Sequence, residues 1–146
     1  MKTLKMQQTF KENTMKTMKK LNTDQKLRDA ILGITKSDYD GDIAPFKGIK
    51  LSQLDDLFGN NFVDSHEKQN LAPSVGDIYS FVKQNPDFTV HGYAVDLSRS
   101  DYRISIEGVE LSRNCTEEEW TSFKRFFKRA DELKGSVGTQ LYCWFD

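Results

Sequence analysis

The residues able to do chemistry are few and scattered. His66 and His91 are the only histidines, and Cys115 and Cys143 the only cysteines. Neither histidine stands at a metal-ligand spacing from another ligand residue. His66 falls in a polar loop, Asp64-Ser-His-Glu67, and His91 in an alternating run, where a histidine is more often structural than catalytic. Cys115 precedes a helix start, which favours a thiolate, but Glu117, Glu118 and Glu119 oppose its ionisation. Asp38, Asp40 and Asp42 invite a calcium reading. Counted from Asp38, however, the sixth and twelfth places of a calcium loop hold Ile43 and Ile49 instead of glycine and glutamate. The stretch reads as a polar turn. No glycine-rich phosphate loop follows a strand, and no local nucleophile signature is present. The sequence therefore assigns no catalytic residue, no metal and no cofactor.

Binding chemistry is better marked. In the run Thr139 to Phe145, the residues Leu141, Cys143 and Phe145 alternate with Tyr142 and Trp144. If the first set enters the core, the second projects from the other face of a sheet, beside Arg103, Ser105 and Glu107. Large amphipathic anchors beside an arginine and a carboxylate suit a protein contact. Tyr142, Trp144, Arg103 and Glu107 are thus the candidate binding residues, for a partner the sequence does not identify. The plainer alternative has the N-terminal helices covering this face, with Tyr142 and Trp144 completing a second core layer. A nucleic-acid partner stands behind the protein one. It would use the basic N-terminus together with Lys124, Arg125, Lys128 and Arg129. Asp131 and Glu132 follow that basic run at pairing distance, which also fits an ordinary solvated helix face.

The element that must position these groups is a helix over Cys115 to Lys134. Thr116 and Glu119 form a capping box, Cys115 and Trp120 a hydrophobic staple, and Gly135 a stop. Trp120, Phe123, Phe126, Phe127, Ala130 and Leu133 make one apolar stripe. Before it, Phe88–Leu97 and Tyr102–Leu111 read as a hairpin around a four-residue loop. The expected register pairs Leu97 with Tyr102, Asp96 with Arg103 and Val95 with Ile104, with a bulge at Gly108 where the apolar phase flips. The last strand is expected beside the first hairpin strand, in the order second–first–last. The apolar face of the hairpin should pack on Trp120, Phe123 and Phe127.

Upstream, a helix is expected from near Asp24 to Lys36, with Leu27, Ala30, Ile31 and Ile34 inward. Residues 43–50 read as irregular because of Pro45. Ser52 caps a short helix that Gly59 stops. Residues 60–73 form a long loop anchored by Phe62 and Leu71. Ser74 then opens a helix burying Ile78, Phe81 and Val82, closed by Asn85-Pro86. Three helices and a hairpin resemble the order of a winged-helix DNA-binding domain. The link between the second and third helices is too long for that motif, and the third offers only Lys83 as a cation.

The fold class is therefore α+β: N-terminal helices, a hairpin, a long amphipathic helix and a final strand (ββαβ), with a small antiparallel sheet packed on the last helix. With 146 residues the prior is one domain, placed at 23–146 behind a basic segment 1–22, helix or tail. Six lysines against Glu12 give that segment +5, and the remainder −6, for a net −1. Near-neutral charge gives no general reason to expect nucleic acid. No apolar run is long enough to span a membrane, and two cysteines without a secretory leader point to a cytoplasmic protein with free thiols. The expected function is a small non-enzymatic binding or regulatory module acting through protein contact. A nucleic-acid-associated regulator, and a small enzyme or small-molecule binder, are the alternatives.

Overall fold

A computed structural model describes residues 20–146. Residues 1–19, and with them the expected N-terminal helix or tail, lie outside the described residues. Two of the helices open on the caps expected from the sequence, at Ser74 and Thr116, and the first is capped by Asp24 rather than by Asn22 or Thr23. Helix α1, Gln25–Leu32, starts at Asp24, whose carboxylate accepts from the Leu27 N–H. Helix α2 spans Leu51–Gly59 and α3 spans Val75–Gln84, with the Ser74 hydroxyl accepting from the Asp77 N–H. Helix α4, Glu117–Phe126, opens with the complete Thr116–Glu119 capping box. Such a cap is worth about 1 kcal/mol. The strands are β1 Ile43–Ile49, β2 Thr89–Val95, β3 Ile104–Leu111, β4 Glu132–Lys134 and β5 Leu141–Trp144. They form one antiparallel sheet in the order β1-β2-β3-β5-β4, so the fold is mixed α+β. Among the described residues no helix is long and apolar enough to cross a membrane.

Several expectations are overturned. The long helix stops at Phe126, and Leu133 sits in β4 opposite Cys143. The apolar stripe reads equally as a helix end or as a turn into a short strand, and pairing with β5 decides it. Residues 43–49 are a strand, because Pro45 lies on an edge strand where its missing N–H costs nothing, and Ala44 and Phe46 alternate inward. Helix α1 ends at Leu32, where Gly33 takes the left-handed conformation, and a 3-10 turn occupies Lys36–Asp38. Leu27 is exposed, while Arg28, Leu32 and Ile34 are buried. At α2 the cap is Lys50, whose N–H donates to Gln53, and Ser52 is not involved. In the loop after α2, Phe62 is fully buried but Leu71 is 64% exposed; Val63 and Ala72 share the anchoring.

The hairpin register is shifted by one. Val95 pairs with Arg103 through a 2.8 Å N–H···O bond, and Ala94 faces Ile104. Asp96 does not meet Arg103, because each has other partners: Gln25 bonds Asp96 at 2.8 Å, and Glu67 and Asp101 take Arg103. The bulge sits one residue before its expected place. Gly92 faces Ile106 and His91 faces Gly108, which leaves Glu107 as the extra residue. The expected sheet order also fails. Strand β5 pairs antiparallel with β3, not with β2, whose free side is taken by β1. The α4 crossover joins β3 to the parallel-running β4, and the chain then turns back so that β5 fills the slot between them.

One core lies between the helices and one face of the sheet. Phe46, Val90, Ala94, Ile104, Ile106, Val109, Leu141, Cys143 and Phe145 supply the sheet side, and all four helices supply the other. Phe123 and Phe127 of the α4 region are fully buried. Phe123 stacks on Phe88 at 5.9 Å, and Phe127 meets Phe81 and Phe145 at 5.0 and 6.2 Å. Trp120 remains half-buried at the margin.

Candidate functional site

Alternation places Tyr93, His91 and Thr89 of β2, Arg103, Ser105, Glu107 and Glu110 of β3, Tyr142 and Trp144 of β5, and Glu132 and Lys134 of β4 on the face away from the helices. Among the described residues the helices do not cover this face; α1, α2 and α3 pack on the same side as α4. What does reach it is the loop after α2. Glu67 accepts from Ser105 Oγ at 3.1 Å and pairs with Arg103 at 2.9 Å, and Gln69 donates to the Tyr93 hydroxyl at 3.2 Å. This latch covers the β2–β3 half of the face. Glu67 is buried enough there for its carboxyl pKa to be raised, against the pull of Ser105 and Arg103.

The other half is an aromatic strip across β3, β5 and β4. The His91 ring lies parallel to Tyr142 at 5.0 Å. Gly108 makes this fit: a Cβ there would sit 2.7 Å from His91 Nε2 and 2.0 Å from the Cys143 carbonyl oxygen. His91 is 9% exposed, and neither ring nitrogen makes a hydrogen bond of ordinary geometry. Burial lowers its pKa, opposed by Glu110 and the Cys143 carbonyl, so the ring is neutral near pH 7. Lys134 Nζ lies 5.7 Å from the Tyr142 ring centre and 2.7 Å from Glu132. At the bulge, the Trp144 indole N–H donates to Glu107 Oε2 at 3.2 Å. Burial and nearby Asp146 raise the Glu107 pKa, while the indole bond lowers it. Tyr142, Trp144 and Glu107 are each half-buried.

Three of the four expected binding residues therefore come together. Arg103 does not join them: it bonds Glu67, Asp101 and the Tyr93 hydroxyl. His91, Glu110, Glu132 and Lys134 complete the strip and were not foreseen as part of it. Glu110 was recoverable from the sequence by carrying the alternation of β3 past the bulge. The basic set Lys124, Arg125, Lys128 and Arg129 is exposed on the helix layer, away from the aromatic strip. Its coincidence with the basic N-terminus falls outside the described residues.

A second feature lies at the other end of the sheet. A cleft of about 980 Å³ is lined by α1, the following turn and the start of β1, including Gln25, Asp29, Ile34, Tyr39, Asp42 and Asp96. Its floor is a closed network. The Tyr39 hydroxyl donates to Asp29 at 2.8 Å and accepts from Arg28 at 2.9 Å, and Arg28 also holds the Val95 carbonyl at 3.0 Å. Burial and Asp29 push the Tyr39 pKa up to about 12, and bonds from Ser98 and Gln25 hold Asp96 down at about 2. The charges are thus fixed, but most of these groups are spent on one another. Cys115 and Cys143 are buried free thiols, and burial pushes Cys143 up to about 12, away from a reactive thiolate. Among the described residues no cluster of three or more His, Cys, Asp or Glu side chains could hold a metal. Against protein-family models, curated proteins and solved structures, the chain has no match.

Proposed function

We propose that this chain is a non-enzymatic binding or regulatory module that contacts a protein partner through the helix-free face of its sheet. The observation that carries this reading is the half-exposed strip of Tyr142 and Trp144, with Glu107 beside them, on a face that no described helix covers. Aromatic anchors that keep a polar handle are the residues that dominate protein contacts. The strip is also preset: Tyr142 is held by His91 and Lys134, and Trp144 by Glu107. Little side-chain freedom remains to be lost on association. The nucleic-acid alternative draws little support here, because carboxylates Glu107, Glu110 and Glu132 share the strip.

Capture of the partner from the native host, with and without nuclease, tests the proposal. Tyr142→Ala/Trp144→Ala should lose the captured protein while keeping a folded spectrum. A variant reversing Lys124, Arg125, Lys128 and Arg129 to glutamate should keep it. Retention by the first and loss by the second would replace the sheet face with the helix layer. A second reading, a small-molecule binder, is favoured by the cleft beside Tyr39, whose volume suits a ligand of drug size.

A further inference from the structure

We infer, resting on the reading above, that the partner presents a lysine or arginine side chain to Trp144 and Glu107. The chain holds five tyrosines and two tryptophans. Five of these seven rings carry a cation: Lys83 over Tyr79, Arg103 over Tyr93, Arg28 over Tyr102, Lys134 over Tyr142 and Lys124 over Trp120. Tyr39 takes the Arg28 guanidinium on its hydroxyl instead. Trp144 alone has no Lys or Arg of the described residues on its ring or its polar atom.

Trp144 also has the second half of a cation site beside it. The chain builds that arrangement twice on this same face. Lys134 stacks on Tyr142 and pairs with Glu132; Arg103 stacks on Tyr93 and pairs with Glu67. At Trp144 the aromatic ring and the carboxylate are both present, but Glu107 has no ion pair among the described residues. The indole N–H binds Oε2, and no hydrogen bond among the described residues occupies Oε1, the oxygen left for a charge-assisted donor. Indole is the strongest of the aromatic rings for a cation within ~6 Å of its centre. Neighbouring charge points the same way. Asp146 lies close enough to raise the Glu107 pKa, and Glu110 sits across from Tyr142 without an ion pair among the described residues. A cation docked there would relieve both carboxylates, whereas an anion would meet them unscreened. Burial of His91 against Tyr142 leaves that histidine neutral and adds no competing positive charge.

The test uses the full chain, labelled with nitrogen-15, at about 0.15 M salt so that diffuse attraction is screened. The Trp144 indole N–H resonance is followed while capped trilysine, triarginine, triglutamate and trithreonine peptides are added in turn. The inference requires a saturable shift of that resonance with trilysine or triarginine, and an affinity about ten-fold weaker in Glu107→Gln. The glutamine keeps an acceptor for the indole, and unchanged backbone amide resonances of the β2–β3 and β3–β5 pairs away from Glu107 in the free variant confirm that the bulge is intact. Equal affinity in Glu107→Gln, or no response to either cationic peptide, overturns the inference. A shift with triglutamate or trithreonine alone overturns the charge assignment while leaving the face a binding surface. Shifts confined to the residues lining the Tyr39 cleft overturn the face itself.

Discussion

The two faces of the sheet are built from the same five strands, yet they are finished differently. On the helix side, Phe88, Phe123, Phe127 and Phe145 are fully buried and pack ring against ring. On the other side every aromatic ring has a polar tip, and each tip or ring is engaged by a charged or ionisable group: Tyr93 by Arg103, Tyr142 by His91 and Lys134, Trp144 by Glu107. Phenylalanine fills space and is stabilised by leaving water. Tyrosine and tryptophan tolerate a boundary, because part of each ring remains useful when wet. Among the rings carried by the strands themselves, Phe46 lies on the face the chain closes with its helices, and Tyr93, Tyr142 and Trp144 lie on the face it leaves half open.

Truncation sharpens this contrast most. Phe123→Ala should cost about 3–5 kcal/mol, since the side chain is fully buried among Phe88, Phe127 and Trp120. For a chain of this size that lowers the melting temperature by roughly 10 °C or more. A loss below ~1 kcal/mol in denaturant titration would mean the closed face is not where stability resides.

A smaller effect comes from His91, the one ionisable group pressed flat into the open face. Its folded-state pKa lies below the ordinary 6.5, with burial as the main cause. The unfolded chain therefore takes up the proton first. The stability His91 contributes is complete above about pH 6.5 and declines as the pH falls from there through the folded value. Glu67 and Glu107 act in the opposite sense. Their folded pKa values are raised, so each favours the fold below the ordinary carboxylate range and loses that contribution as the pH rises through its folded value. Wild type should accordingly lose stability on mild acidification relative to His91→Phe, which keeps a ring on Tyr142 and cannot titrate. Parallel stability–pH curves for the two proteins would show that His91 charges without leaving its place.

The smallest effect is expected at Trp144. Replacing it with alanine removes a half-buried ring and one indole hydrogen bond, and should cost about 1 kcal/mol. A cost equal to that of Phe123→Ala would mean the two faces are not finished differently, and Trp144 would be core.

Where local chemistry decided the structure, the sequence could be read. The Ser74 cap with Ile78, Phe81 and Val82, the Thr116–Glu119 box, and the inward parity of Leu141, Cys143 and Phe145 all appear where expected. Readings failed where distant segments chose between local options. Pro45 hid β1, because only its edge position beside β2 makes a proline harmless. Leu133 left the helix for a strand because Cys143 offered a partner. The hairpin slipped one residue because Gln25 and Glu67, far away in sequence, bind Asp96 and Arg103. The same contacts removed Arg103 from the candidate site. Trp144 and Glu107 were brought together by β3–β5 pairing, which their parity permits but does not dictate.

Side-chain oxidative footprinting of the full chain, alone and bound to its captured partner, tests the central claim most directly. The rings of Tyr142 and Trp144 stand on the open face, Tyr39 lines the cleft, and Trp120 borders the exposed side of α4. The account predicts strong protection of Tyr142 and Trp144 on binding, with Tyr39 and Trp120 oxidised as in the free protein. Protection of Tyr39 or Trp120 with Tyr142 and Trp144 unchanged would contradict it.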